Sequence, residues 1–207
     1  MNGHGFSRPR QAISVAVALA IPVALAAAGT LPACTATSSL LFGTPSPTGT
    51  FQVYSNGEFN WQGDYSWGVT INYKDTRGSP LSGKYDICVT GIGGFQPYAL
   101  GFDFDPSPYR YLVVSLKPTI ANQKWDSAFY AVGDKLTGHG VNVLNYGPEP
   151  VVGQWTTYRI PLGAGGYDIP AGTHIYKFMF IDQTADQTNS GYSTNRWYVD
   201  NLYFAAQ

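Results

Sequence analysis

Four aromatic residues stand among polar neighbours rather than inside apolar runs. Trp125 lies in ANQKWDS, Trp61 lies in FNWQGD, Tyr130 alternates away from Phe129, and Tyr111 alternates away from Leu112. Polar groups accompany them: Gln123, Asp126, Lys117, Arg159 and Gln183. Flat rings with a polar tip can stack on the C–H face of a sugar-like ring. Amides, carboxylates and cationic side chains can hydrogen-bond its hydroxyls. These five polar side chains and four rings are therefore candidate ligand-binding groups. A ring in such a place serves equally well in a core or at its rim, and exposure decides between the two.

Catalytic chemistry finds less support. Beyond the first 34 residues the chain has two Glu, Glu58 and Glu149, and eleven Asp. A glycosidase needs two carboxylates about 5–9 Å apart. Asp103 and Asp105 in GFDFDPSP are two apart, so on a strand they share a face; Asp before Pro is equally turn chemistry. His139 and His174 sit singly beside Gly or Thr, which is no zinc spacing. No G-x-S-x-G nucleophile turn is present. A polysaccharide lyase would use Tyr, His, Arg and Lys together, and Tyr is plentiful.

Charge narrows the partners. Without residues 1–34 the chain loses Arg8 and Arg10, which leaves ten basic residues against thirteen acidic ones, a net charge of −3. It has no basic run, so nucleic acid is not expected as a partner. Aromatic residues make up 15% and charged residues only 12%, a balance suited to a neutral, hydroxyl-rich ligand.

One carboxylate stands out within a strand-like run, Asp200 in RWYVDNLYF. Asp and Asn are depleted in strands, and a buried carboxylate without a partner is costly. Asp200 could accept backbone N–H groups at a bulge, or pair with Arg196 or Arg159.

The elements that must position these groups are strands. In the first ten residues, MNGHGFSRPR, Arg8 and Arg10 precede an apolar, Ala-rich run from Ala12 to Gly29. This reads as an export signal occupying residues 1–34. Ala26-Ala27-Ala28 offers a signal-peptidase site, and Leu31-Pro32-Ala33-Cys34 a lipobox with Cys34 as the lipidated residue. Residues 35–50, rich in Ser, Thr, Pro and Gly, read as a tether. Residues 51–207 form one domain with no helical period anywhere. Alternation puts Trp67, Val69, Ile71 and Tyr73 on one face, and likewise Leu112, Val114 and Leu116, and Tyr176, Phe178 and Phe180. Turn signals such as Asn56-Gly57, Gly93-Gly94 and Gly147-Pro148 separate the runs. About nine strands in this pattern predict an antiparallel β-sandwich or barrel. Cys88, in KYDICVTG, is expected as a buried, inert thiol.

Three stretches taken in order, VYSNGEFNWQGDYSWGVTIN, GQWTTYRIPL and IYKFMFIDQT followed by RWYVDNLYF, resemble bacterial β-jelly-roll domains of the galactose-binding-like type. Many of those are non-catalytic carbohydrate-binding modules. The resemblance implies an all-β antiparallel β-sandwich (jelly roll), a single domain after the export signal. It implies an exported, non-catalytic domain that binds a polysaccharide or oligosaccharide. A small glycoside hydrolase or lyase and a cell-surface structural or adhesion domain are the alternatives. It also implies a structural Ca²⁺, with Asp200 as ligand and Asn56 and Glu58 near the end of the first strand, consistent with the oxygen ligands that Ca²⁺ takes. The expected protein is a monomer, secreted or lipid-anchored at the cell surface or periplasm of a bacterium. Any membrane contact runs through the lipid on Cys34.

Overall fold

The computed structural model describes residues 49–61, 63–98, 104–184 and 195–207. The chain divides into two compact units, Met1–Leu40 and Leu41–Gln207, and all described residues belong to the second. The export signal, Cys34, nearly all of the tether and Asp103 lie outside the described residues.

The described part is built of twelve strands: β1 (Thr50–Ser55), β2 (Glu58–Phe59), β3 (Gly63–Asp64), β4 (Trp67–Asp75), β5 (Asp86–Phe95), β6 (Pro97–Tyr98), β7 (Tyr111–Pro118), β8 (Trp125–Ala131), β9 (Lys135–Asn142), β10 (Thr156–Pro161), β11 (Lys177–Asp182) and β12 (Arg196–Ala205). One turn of 3-10 helix, Val143–Tyr146, is capped by the Asn142 side chain, which accepts from the Leu144 N–H. All pairings between strands are antiparallel.

One continuous antiparallel sheet curls into two layers over a shared core, and β5 belongs to both. Its first half pairs with β12, from Val199↔Ile87 to Arg196↔Thr90. Its last residues pair with β11, Phe180↔Phe95 and Ile181↔Gly94. The change of partner coincides with glycine. Gly91 has φ 125° and lies against the bulge at Gly68. The first layer runs β10-β7-β12-β5, with β4 on β5 and β1 on β12. The second holds β9-β8-β11, followed by β6 and β3.

Alternation drives the core, as expected for strands with one face buried. From the first layer come Ile87, Val89, Leu112, Val114, Leu116, Tyr158, Ile160, Val199 and Phe204; from the second come Phe129, Phe178 and Phe180. Rings meet across the gap: Phe129 and Phe178 each lie 6.1 Å from Phe204 between centroids.

Two expected ligand platforms belong to this core. Trp125 is fully buried as the first residue of β8, 6.0 Å from Trp197 and 6.5 Å from Tyr158. The polar letters around it are turn residues, and Trp125 itself starts the inward face of the next strand. Trp61 is 6% exposed and packs 4.7 Å from Phe178. Neither ring is open to a ligand. Gln123 is also fully buried: it donates to the Asp182 carboxylate at 2.6 Å and accepts from the Thr119 N–H at 3.0 Å.

Candidate functional site

Strand register places a second set of side chains on the outer face of the β8–β11 layer. Ser127 and Phe129 of β8 and Phe178 and Phe180 of β11 point into the core. Their neighbours Asp126, Ala128 and Tyr130, and Lys177, Met179 and Ile181, therefore share the opposite face.

The pairings arrange this face in rows. One row crosses the strands as Leu136–Tyr130–Lys177–Tyr98–Gly63. Another, four residues along, reads Asn142–Asp126–Ile181–Gly94–Trp67. The rows lie roughly 13 Å apart by strand rise. Between them stand Ala128 and Met179, which pair across β8 and β11, and Gln96.

The first row is an aromatic bank. Tyr65 and Tyr98 stack at 3.8 Å between centroids, 15° from parallel. Tyr176 leans on both, at 6.4 and 6.1 Å, and its hydroxyl donates to that of Tyr65 at 3.5 Å. The nearly buried Lys177 holds the bank together. Its ammonium pairs with Asp134 at 2.7 Å and lies 5.2 Å from the Tyr130 ring and 6.0 Å from the Tyr65 ring. With the Gln96 amide turned to satisfy both its ends, it donates to the Tyr65 carbonyl and accepts from Lys177, each at 3.2 Å. Burial pushes the Tyr98 and Tyr130 hydroxyls above the usual phenol range. The Tyr176 hydroxyl, hydrogen-bonded to Tyr65, is pushed up to about 12.

The second row ends in Trp67, which is 48% exposed. Alternation alone would point Trp67 inward with Val69 and Ile71. The β4–β5 register shifts between Trp67 and Val69, with the extra residue on β5 between Gly91 and Gly94, and Gly68 opposite it turns Trp67 outward. Gly68 makes the bulge possible: its φ is 68°, and a Cβ there would stand 2.2 Å from the Ile92 carbonyl oxygen. The indole then lies over Gly94, where a Cβ would meet the indole nitrogen at 3.0 Å and the Met179 sulfur at 3.5 Å.

The expected binding residues divide among several places. Tyr130 and Asp126 lie on this aromatic face. Tyr111, Arg159 and Lys117 lie on the outer face of the other layer. There the Arg159 guanidinium covers the Tyr111 ring at 3.8 Å, and the Lys117 ammonium donates to the Gly78 carbonyl at 2.6 Å. Gln183 is exposed in the turn after β11, its backbone N–H bonded to the Lys124 carbonyl. The sequence reading missed Tyr65, Trp67, Tyr98, Tyr176 and Lys177. The run GIGG at residues 91–94 was the available signal, since clustered Gly in a strand marks bulges and close approach.

The residues proposed for Ca²⁺ meet other partners. Asp200 is fully buried in β12, just before a bulge where Asn201 has φ 46°. One carboxylate oxygen accepts from the Ser82 N–H at 2.9 Å, the other from the Asn201 N–H at 2.7 Å. The Asn56 amide oxygen accepts from the Lys84 and Tyr85 N–H groups at 2.6 and 3.3 Å. Glu58 is exposed on β2. The groups aimed at Asp200 are donors, whereas Ca²⁺ requires oxygen acceptors. Among the described residues, no cluster of three or more His, Cys, Asp or Glu is placed to hold a metal ion. As arranged, Asp200, Asn56 and Glu58 do not form a calcium shell.

Asp105 accepts from the N–H and hydroxyl of Ser107, at 2.8 and 2.9 Å, as turn chemistry. Cys88 is buried and free, and burial pushes its thiol up.

No family profile matches the sequence, and no curated protein does. Among solved structures, the chain is similar to the family 11 carbohydrate-binding module of a cellulosomal cellulase of Clostridium thermocellum, with 14% identity over 78% of this chain and 97% of that one, TM-score 0.46. It is similar to the C-terminal family 22 carbohydrate-binding module of a Clostridium thermocellum protein, Xyn10B, with 13% identity, 78% and 96% coverage, and TM-score 0.48. It is also similar to a family 30 carbohydrate-binding module of a cellulosomal cellulase of that organism, with 11% identity, 76% and 98% coverage, and TM-score 0.46.

Proposed function

We propose that this domain binds a polysaccharide chain, without cleaving it, on the outer face of the β8–β11 layer. The carrying observation is the array of four tyrosines and Trp67 on one face, ordered around Lys177 and presented in part to solvent. Exposed rings set side by side offer apolar platforms with hydroxyl tips, which match the alternating C–H and O–H surfaces of a sugar. Trp67 and the tyrosine bank stand roughly 13 Å apart by strand rise. A ligand engaging both is longer than one sugar ring.

Two observations favour binding over catalysis. Of the carboxylates on this face, Asp126 lies near the start of β8 and Asp134 lies in the turn after it, paired with Lys177; the Lys177 row stands roughly 13 Å from the Asp126 row by strand rise, too far for a glycosidase pair. The Tyr98, Tyr130 and Tyr176 hydroxyls are pushed up, Tyr176 to about 12, which suits hydrogen bonding rather than the proton abstraction a lyase needs. Export, suggested by the leader sequence, would bring such a face to extracellular or cell-wall glycans. The mass of the mature N terminus separates cleavage after Ala28 from lipidation at Cys34.

Affinity electrophoresis on β-glucans, xylan, mannan and pectin, followed by calorimetry with oligosaccharides, tests the reading. Retardation on at least one polymer, with affinity rising with chain length, is expected. Folded protein retarded by none would sink it, and release of reducing ends or unsaturated products would replace binding with catalysis.

A further inference from the structure

The proposal concerns Asp126 and rests on glycan binding at the aromatic face. Lys177 and Asp134 neutralise each other there, and the Lys177 ammonium is enclosed by Tyr130, Tyr65 and Gln96. Asp126 differs. It is half-buried, yet among the described residues its carboxylate makes no hydrogen bond and no ion pair. Burial alone raises its carboxyl above the usual carboxylate range. A partly desolvated acceptor left without donors is costly, and ligand donors can relieve that cost.

The row containing Asp126 supplies the rest of a subsite. Ile181 is its neighbour on β11, Gly94 lies one strand further, and the Trp67 indole covers Gly94. The carboxylate and the indole thus face each other across about two strand spacings, roughly 10 Å. The floor between them is Ile181. One wall is flat and aromatic, the other offers two acceptor oxygens, and the floor is apolar. A pyranose ring presents the complement: C–H groups on its faces and hydroxyl donors at its rim.

We propose that Asp126 is the specificity-determining residue of this face, accepting hydrogen bonds from two adjacent ring hydroxyls of a sugar seated against Trp67. A carboxylate has two oxygens in one plane, so it reads a pair of hydroxyls that project side by side near the ring plane. Turning one of the two to axial breaks the pair. Removing a group that hydrogen-bonds a ligand hydroxyl should also erase preference between epimers, because an acceptor left short of donors no longer penalises the poorer partner.

The test is calorimetry of the wild-type domain, Asp126→Ala and Asp126→Asn with gluco- and manno-configured oligosaccharides of equal length and linkage. Melting curves run in parallel as a fold control. Asp126→Ala should leave the melting temperature unchanged or raise it. It should weaken binding of the preferred oligosaccharide at least tenfold and bring the two epimers to similar affinity. Asp126→Asn, which keeps one acceptor, should fall between. If the variants bind like wild type, or bind more weakly with the epimer preference intact, the role of Asp126 is overturned while binding at the face stands. If the wild-type domain binds none of the oligosaccharides, the binding reading fails and this proposal falls with it.

Discussion

Asp86 is fully buried at the start of β5, and neither of its carboxylate oxygens has a hydrogen-bond partner among the described residues. Burial, then the charges of Asp75 and Asp200, push its carboxyl up to about 7, against the opposing pull of Lys117. The folded state therefore holds this proton more tightly than the unfolded chain, whose value is 3.8. Stability then falls as pH rises from near 3.8 to about 7 and levels off above. The melting temperature at about pH 8 should lie below that at about pH 5, and Asp86→Asn should shrink the gap; an equal gap in the variant would refute the assignment. A second contrast at this scale separates two tryptophans. Trp67→Ala should cost about 2 kcal/mol of binding, roughly 30-fold in Kd, with little change in stability. Trp125→Ala should instead cost about 3–5 kcal/mol of folding free energy, read by denaturant titration. Sequence context suggested the reverse for Trp125, because its polar neighbours belong to a turn while its own side chain already faces inward.

At the scale of elements, a bulge decides where the site is. Period-two alternation correctly gives the inward faces of β7, β10 and β11, since those strands pair without interruption on the relevant side. It fails at β4, because Gly68, in the left-handed region opposite the added residue of β5, breaks the alternation between Trp67 and Val69. Tyr176 escapes the pattern for a similar reason: it precedes β11, and its N–H bonds the Tyr130 carbonyl outside the strand. Tyr65 comes from a segment too short for any period to show. Gly68→Ala should therefore damage stability and binding together, by about 1–3 kcal/mol of strain, with the Trp67 fluorescence environment altered. Gly163→Ala, where a Cβ meets nothing within 4 Å, serves as the neutral control. Equal behaviour of the two variants would remove the bulge from the account.

For the molecule as a whole, composition and alternation were enough for an all-β antiparallel sandwich, because burying one face of each strand leaves few other solutions. Which aromatic residues stand together could not be read, since that depends on pairings between strands distant in sequence, such as β8 with β11 and β11 with β5. Calcium belongs at this scale too. A metal that bound only the folded state would raise the melting temperature. Because Asp200 accepts from Ser82 and Asn201, EDTA and added Ca²⁺ should leave the melting temperature unchanged. A rise with Ca²⁺ that Asp200→Ala abolishes would mean that the Ser82 N–H gives way to the ion.

The pairing of β1 with β12 has one more consequence. Thr50 faces Ala205, and the Ala206 N–H bonds the Gly49 carbonyl at 2.7 Å. The start of β1 and the end of β12 are thus neighbours, as circular permutation requires. A short linker from Gln207 to Gly49, with a new opening at exposed Gly153, should yield a permutant that folds and keeps its aromatic face, because no strand is cut. The order in which the strands are synthesised would then be separable from the surface they build.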